Sequence, residues 1–164
     1  MPAVNGSTGL GLTGVTPVAA AGRQWRCVVP GDERELARLR RWLAALLPEC
    51  AARDDVISVA TELGANAIRH TASGRGGSFT VEITWYHSAL RVAVSDHGAP
   101  APPRLIDDPM GEYGRGLLLV RGLSVRTGVC GDERGRQVWA DVAWDGTSAL
   151  APPVTPEQRQ AAAW

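Results

Sequence analysis

The sequence predicts a two-layer α/β sandwich, a mixed and mostly antiparallel sheet with about three helices on one face. Three observations carry that prediction. Five short stretches alternate apolar and polar residues as half-buried strands do, and three others space their apolar residues as helices do. Short turn-forming segments separate most neighbouring strands, so hairpins rather than crossovers join them. The elements run β-α-α-β-β-loop-α-β-β along the chain.

The first strand is "RQWRCVV" (23–29), broken by Pro30-Gly31. Asp32 and Glu35 have the spacing of a capping box. Leu36, Leu39, Trp42, Leu43, Leu46 and Leu47 follow at helical spacing, and Pro48 stops that helix. A second helix runs from about Asp54 to Thr71, with Val56, Ile57, Ala60, Leu63, Ala67 and Ile68 as its core face. "ASGRGG" (72–77) is a turn, and "SFTVEITWYH" (78–87) with "ALRVAVSD" (89–96) forms a hairpin. A long Pro- and Asp-containing loop leads from His97 to about Tyr113 and then to "GRGLLLVRGL" (114–123), a helix opened by glycines. The last two strands, about 124–130 and 136–144, are joined by "GDERGR". Residues 1–22 are small, Gly- and Thr-rich and uncharged, and 147–164 contain prolines; both read as flexible tails around one domain at 23–146.

Composition narrows the chemistry. The 164 residues suffice for one domain with a real core, and the net charge of zero argues against direct nucleic-acid binding, which needs a basic footprint. All 17 basic side chains are arginine. Any mechanism that needs a lysine from this chain is therefore excluded, including a P-loop or a Schiff base. Cys27, Cys50 and Cys130 are too few and too scattered for a disulfide framework or a zinc site, and read as reduced, mostly buried thiols. No apolar run is long enough to span a membrane, and the first 22 residues carry no positive side chain for a secretion signal. The expected location is the cytoplasm.

Within "ELGANAIRH" (62–70), Glu62, Asn66 and His70 stand four residues apart and so lie near one line on an otherwise apolar helix. Further on, "DHG" (96–98) ends a strand in a turn, and "GRGL" (114–117) opens a helix. Each segment alone is an ordinary helix face, turn or cap. In this order and spacing they resemble the N, G1 and G2 boxes of the GHKL ATPase/kinase superfamily, with its Bergerat ATP-binding fold. Size and tails look most like the small anti-sigma-factor serine kinases of Gram-positive bacteria, and the absence of lysine looks actinomycete-like. The resemblance covers about residues 24–145.

The resemblance implies ATP and Mg²⁺ as cofactors. Asn66 would offer its amide oxygen to Mg²⁺, a hard cation that keeps several waters, and Glu62, one turn away, would take the proton of an attacking hydroxyl as general base. Asp96 would accept a hydrogen bond from the exocyclic amine of adenine, where guanine presents a carbonyl, and Gly98 would let the backbone turn close to the base. Gly114 and Gly116, with Arg115 between them and Leu117 after, would bring a helix N-terminus to the phosphates, under a lid formed by 99–113. His70 continues the line toward Glu62 or the phosphates. Gln137 matches a place where the family often has a polar phosphate or Mg-water contact. The implied partners are a sigma factor and an anti-sigma-factor antagonist protein, with no direct nucleic acid and no membrane, and family members are often homodimers.

Two functions stay open at this stage. One is a serine/threonine kinase that phosphorylates the antagonist and also sequesters the sigma factor. The other is an ATP-gated module that sequesters a partner with little or no phosphotransfer. The second draws on "MGEY" (110–113), where Glu112 stands and the switch kinases carry a basic residue. The turn after Gly98 also continues with Ala99 and Pro100 rather than another glycine.

Overall fold

The computed structural model describes residues 16–20, 22–86, 88–99 and 115–144. Six strands form one sheet in the order β1-β2-β3-β4-β6-β5, and every pairing is antiparallel. They are β1 (Thr16–Ala20), β2 (Gly22–Pro30), β3 (Ser78–Trp85), β4 (Ala89–Asp96), β5 (Arg126–Gly131) and β6 (Arg136–Ala143). The helices are α1 (Glu35–Leu46), α2 (Ala51–His70) and α3 (Arg115–Leu123), with a short 3₁₀ turn at Ala72–Gly74. This is the predicted α/β sandwich.

The two-residue period of a strand sorts its side chains between faces. Phe79, Val81, Ile83 and Trp85 of β3 are buried with Val92 and Val94 of β4 and Ala140 and Val142 of β6. Onto this face pack Leu36, Leu39, Trp42 and Leu43 of α1, Val56, Val59, Ala60 and Leu63 of α2, and Val120 of α3. Each fully buried Val, Leu, Ile or Phe in such a cluster is worth roughly 1.5–3 kcal/mol over exposure. Three tryptophans close one end of the core: Trp25 and Trp85 lie 5.0 Å apart between ring centroids, and Trp85 meets Trp144 edge-on at 6.4 Å.

The opposite face of the sheet is polar and internally paired. Arg91 on β4 donates to Asp141 on β6 through Nε (2.7 Å) and Nη2 (2.9 Å) and stacks over Trp139 at 3.9 Å. Arg126 on β5 reaches the same carboxylate at 3.3 Å. Gly128, opposite Trp139, leaves the indole the space that a Cβ would take. Asp141 is only 1% exposed, so its charge relies on these arginines.

Four expectations are corrected. β1 lies inside the stretch read as tail; it pairs with β2 from Thr16↔Arg26 to Ala20↔Gly22, and backbone pairing along a strand edge needs no charge or alternation to announce it. The capping box at α1 does not form. Asp32 Oδ1 accepts from the N–H of Arg34 (2.9 Å), and Glu35 pairs forward with Arg38 (3.0 Å). A tight turn, with Glu35 N–H donating to the carbonyl of Asp32 (2.9 Å), puts the Asp32 carboxylate nearest Arg34 instead. α2 begins at Ala51, three residues before the expected start. Cys27 is buried, and burial pushes its thiol up to about 11, whereas Cys130 is exposed on β5, an edge strand that nothing among the described residues covers.

The Arg91–Asp141 pair yields a stability prediction. Asp141→Ala leaves the Arg91 guanidinium, 13% exposed, without its carboxylate and lowers stability by about 3 kcal/mol. Urea unfolding should show a lower midpoint at an unchanged slope. A loss under about 1 kcal/mol would class the pair with ordinary surface bridges.

Candidate active site

Helix α2 owes its position to its apolar side. Val56, Val59, Ala60, Leu63 and Ala67 are buried against the sheet. Gly64 lets the helix in close, since a Cβ there would meet the Phe79 ring at 3.1 Å and Leu36 at 3.2 Å. Held on that side, α2 turns Glu62, Asn66, Arg69 and His70 toward α3. These four, with Arg115, Gly116 and Leu119 of α3, line an open cleft of about 730 Å³.

The cleft has three chemical features. A nitrogen of the Asn66 side-chain amide, Nδ2, is buried with no hydrogen-bond partner among the described residues. A buried amide left unpaired costs about 1–3 kcal/mol, so the site calls for a ligand that the amide can bind. Gly116 sits directly against Glu62; a Cβ on it would run into Oε2. The first turn of α3, whose backbone N–H groups have no partner within the helix, and Arg115 thus face the polar line of α2. Arg69 and Arg115 place positive charge on the rim, Arg69 held by Glu33 at 3.0 Å.

The "DHG" turn is built from the end of β4. Gly98 has φ +74°, and a Cβ there would collide with the carbonyl of Glu133, so glycine is needed on both counts. Asp96 Oδ1 accepts from the N–H of Gly98 at 2.6 Å. Its other oxygen has no hydrogen-bond partner among the described residues. Burial pushes the Asp96 carboxyl above the ordinary carboxylate range, opposed by that hydrogen bond and by the charges of Arg136 and His97. Arg136 is the register partner of Asp96 on β6, and its Nη2 donates to the carbonyl of Ala99 at 3.2 Å.

The predicted residues therefore fall into two groups. Glu62, Asn66, His70, Arg115 and Gly116 share the cleft; Asp96 and Gly98 form a separate turn at the end of β4. Leu117 packs against the core and does not line the cleft, because the helical period turns it inward between Gly116 and Leu118. Gly114 and the lid from Pro100 on lie outside the described residues. Gln137 is corrected. Val138, Ala140 and Val142 face the helices, so Gln137 points to the other side of the sheet, where Nε2 donates to Ser95 (3.0 Å) and Glu82 (3.2 Å). Arg69 escaped the sequence reading, although it stands three residues from Asn66 on the same face.

The histidine kinase-like ATPase domain family matches residues 29–142. The chain belongs to this family. No curated protein matches the chain. The GHKL superfamily read from the three boxes is thereby established, and a histidine kinase-like ATPase domain carries with it an ATP-binding regulatory role and ATP-dependent kinase or ATPase chemistry. Mg²⁺ usually accompanies ATP in such domains. The donor set here suits it: among the described residues no group of three or more His, Cys, Asp or Glu could cage a metal, whereas Mg²⁺ is commonly held by one or two protein ligands plus substrate phosphates and water. Asn66 is the residue that fits that need: its amide oxygen would be the ligand offered to the ion, and its buried Nδ2, unpaired among the described residues, would be free to donate to a phosphate. Among the described residues no helix is long and apolar enough to cross a membrane.

The raised pKa of Asp96 makes a prediction with a definite sign. The folded state holds the Asp96 proton more tightly than the unfolded chain does, so stability falls as pH rises from the ordinary carboxylate value, about 3.9, through the higher folded value. Asp96→Asn removes that charge and keeps an acceptor for Gly98. Its thermal midpoint should exceed that of the wild type at pH 7, with the gap closing below the ordinary carboxylate pKa. A variant less stable at pH 7 than at pH 3, relative to wild type, would reverse the sign.

Proposed function

We propose that this histidine kinase-like ATPase domain is an anti-sigma factor and a serine/threonine kinase whose substrate is an anti-sigma-factor antagonist. The observation that carries the reading is the unpaired Asn66 amide one helical turn from Glu62, in one cleft with the start of α3. The cleft thus offers a cation and phosphate ligand beside a carboxylate that can receive a proton.

In this reading Asp96 accepts from the adenine amine and selects ATP. Bound Mg²⁺ supplies charge neutralisation on the phosphates. Asn66 holds the ion and its nitrogen side steadies the phosphates; Arg115 and the N–H groups at the start of α3 bind the phosphate oxygens. Glu62 takes the proton from the antagonist's serine hydroxyl as its oxygen bonds to the γ-phosphorus. The bond from that phosphorus to the β–γ bridging oxygen breaks, and ADP leaves. Gly116 keeps α3 close to Glu62 and holds its carboxylate toward the incoming hydroxyl. A sigma factor bound on the same protein, as a homodimer in the cytoplasm, completes the switch.

A second reading is a module that binds ATP and sequesters its partner without efficient transfer. Glu112, just ahead of the glycines in sequence, favours it, because a negative charge there opposes the charge that builds on the γ-phosphoryl group.

Two measurements test these readings. Titration with ATP and GTP, with and without Mg²⁺, should give binding of ATP only, and Asn66→Ala should weaken Mg-ATP by about tenfold or more. If the folded wild type binds no nucleotide, both readings fall. Glu62→Gln should leave ATP affinity within about threefold and cut phosphorylation of the antagonist by 10²-fold or more. Full transfer by that variant would remove Glu62 as base. Absence of any phosphoserine from wild type with excess Mg-ATP would favour the sequestering module.

A further inference from the structure

The segment "TASGRGG" (71–77), which reads in sequence as an ordinary turn, is one of the most tightly built parts of the chain. Thr71 Oγ1 donates to the carbonyl of Ala67 (2.6 Å) and accepts from the N–H of Ser73 (3.1 Å), which closes the end of α2. Gly74 lies so near the carbonyl of Ile68, and Gly31 so near that of Ser73, that a Cβ on either would collide with backbone. Gly77 N–H donates to the Ser73 carbonyl (3.1 Å) and Gly31 N–H to that of Gly77 (2.9 Å).

Ser73 is fully buried in this clamp. Its Oγ accepts from the backbone N–H of His97 at 3.1 Å, and next to it the N–H of Ala72 donates to the carbonyl of Gly98 at 3.2 Å. These two bonds bracket the peptide units that follow Asp96. The N–H of Gly98 is in turn the group that holds Asp96 Oδ1. A path of hydrogen bonds and intervening backbone therefore joins the end of α2, the helix that carries Asn66, to the carboxylate of Asp96.

We infer that Ser73 is a positioning residue for nucleotide selection: through the N–H of His97 it sets the direction of the Asp96 carboxylate and ties it to the helix that carries Glu62 and Asn66. The inference rests on the reading of Asp96 as the group that meets the adenine amine. Nothing else among the described residues takes the His97 N–H. Without the Ser73 hydroxyl that part-buried donor loses its partner, and the turn relaxes to satisfy it. Asp96 then keeps its charge but loses its aim.

The test compares affinities for ATP and for purine riboside triphosphate, which lacks only the exocyclic amine. Wild type should bind ATP about tenfold more tightly, the size of one hydrogen bond to a charged group. Ser73→Ala should bring that ratio down to about twofold or less, with affinity for the amine-free analogue little changed. The double variant Ser73→Ala/Asp96→Ala should show the same ratio as Asp96→Ala alone, since both act through one contact. Ser73→Cys, nearly isosteric and a weak acceptor, should follow Ser73→Ala and serves in its place should that variant not fold. A purely structural serine would weaken both triphosphates alike, leave the ratio intact and overturn the inference while the ATP site stands. A wild type with no preference for ATP removes the role of Asp96 and this inference together.

Discussion

Helix α2 must bury one side against the sheet while it keeps a line of polar side chains out of the core. Its geometry meets both demands because Val56, Val59, Ala60, Leu63 and Ala67 occupy one side, and Gly64 lets the helix close on Phe79 and Leu36. The polar residues then have one direction left, toward α3. Glu62 meets Gly116 there, and the Asn66 Nδ2 is buried without a hydrogen-bond partner among the described residues. The cleft follows from packing, and its unpaired Nδ2 marks where a ligand atom would be most favourably accepted.

The two ends of the site are held by different means. The cleft end is side chains on two helices, positioned by the apolar core. The Asp96 end is a turn whose successive peptide units are fixed by hydrogen bonds donated by Gly98, Ala72 and Arg136 and by one that Ser73 accepts from the N–H of His97. Burial works against the charge of Asp96, while the bond from the N–H of Gly98 and the charges of Arg136 and His97 support it. A carboxylate kept in a setting that raises its pKa costs stability at neutral pH. Such groups mark functional positions more often than structural ones. The far face of the sheet makes the contrast clear: there Asp141 is more deeply buried, but Arg91 and Arg126 pair with both of its oxygens.

Much of this was legible in the residues. Alternation in "SFTVEITW" and the leucine spacing of α1 correspond to elements that differ little from those expected, because side-chain period is a local property. The four-residue spacing of Glu62, Asn66 and His70 placed them together for the same reason. Where the reading missed, the deciding contact lay elsewhere. β1 is recruited by the backbone edge of β2. Gln137 was judged from its neighbourhood in sequence, whereas the burial of Ala140 and Val142, with Val138 packed against the same core, decides which side of β6 it faces. Ser73 carries no signal, since a serine in a Gly-rich turn is ordinary until its partner 24 residues away is known.

By itself, then, the sequence determined the order of the elements from β2 onward, the core faces and the family, and it ruled out any chemistry that needs a lysine, because these depend on residue type and short-range spacing. Only the tertiary structure decided that Glu62 abuts Gly116, that the Asn66 amide is left unpaired, that Leu117 turns inward, and that α2 and the Asp96 turn are bonded into one unit. Those facts depend on distances between segments far apart in the chain, and such distances are set by how helices and sheet pack, which no local pattern encodes.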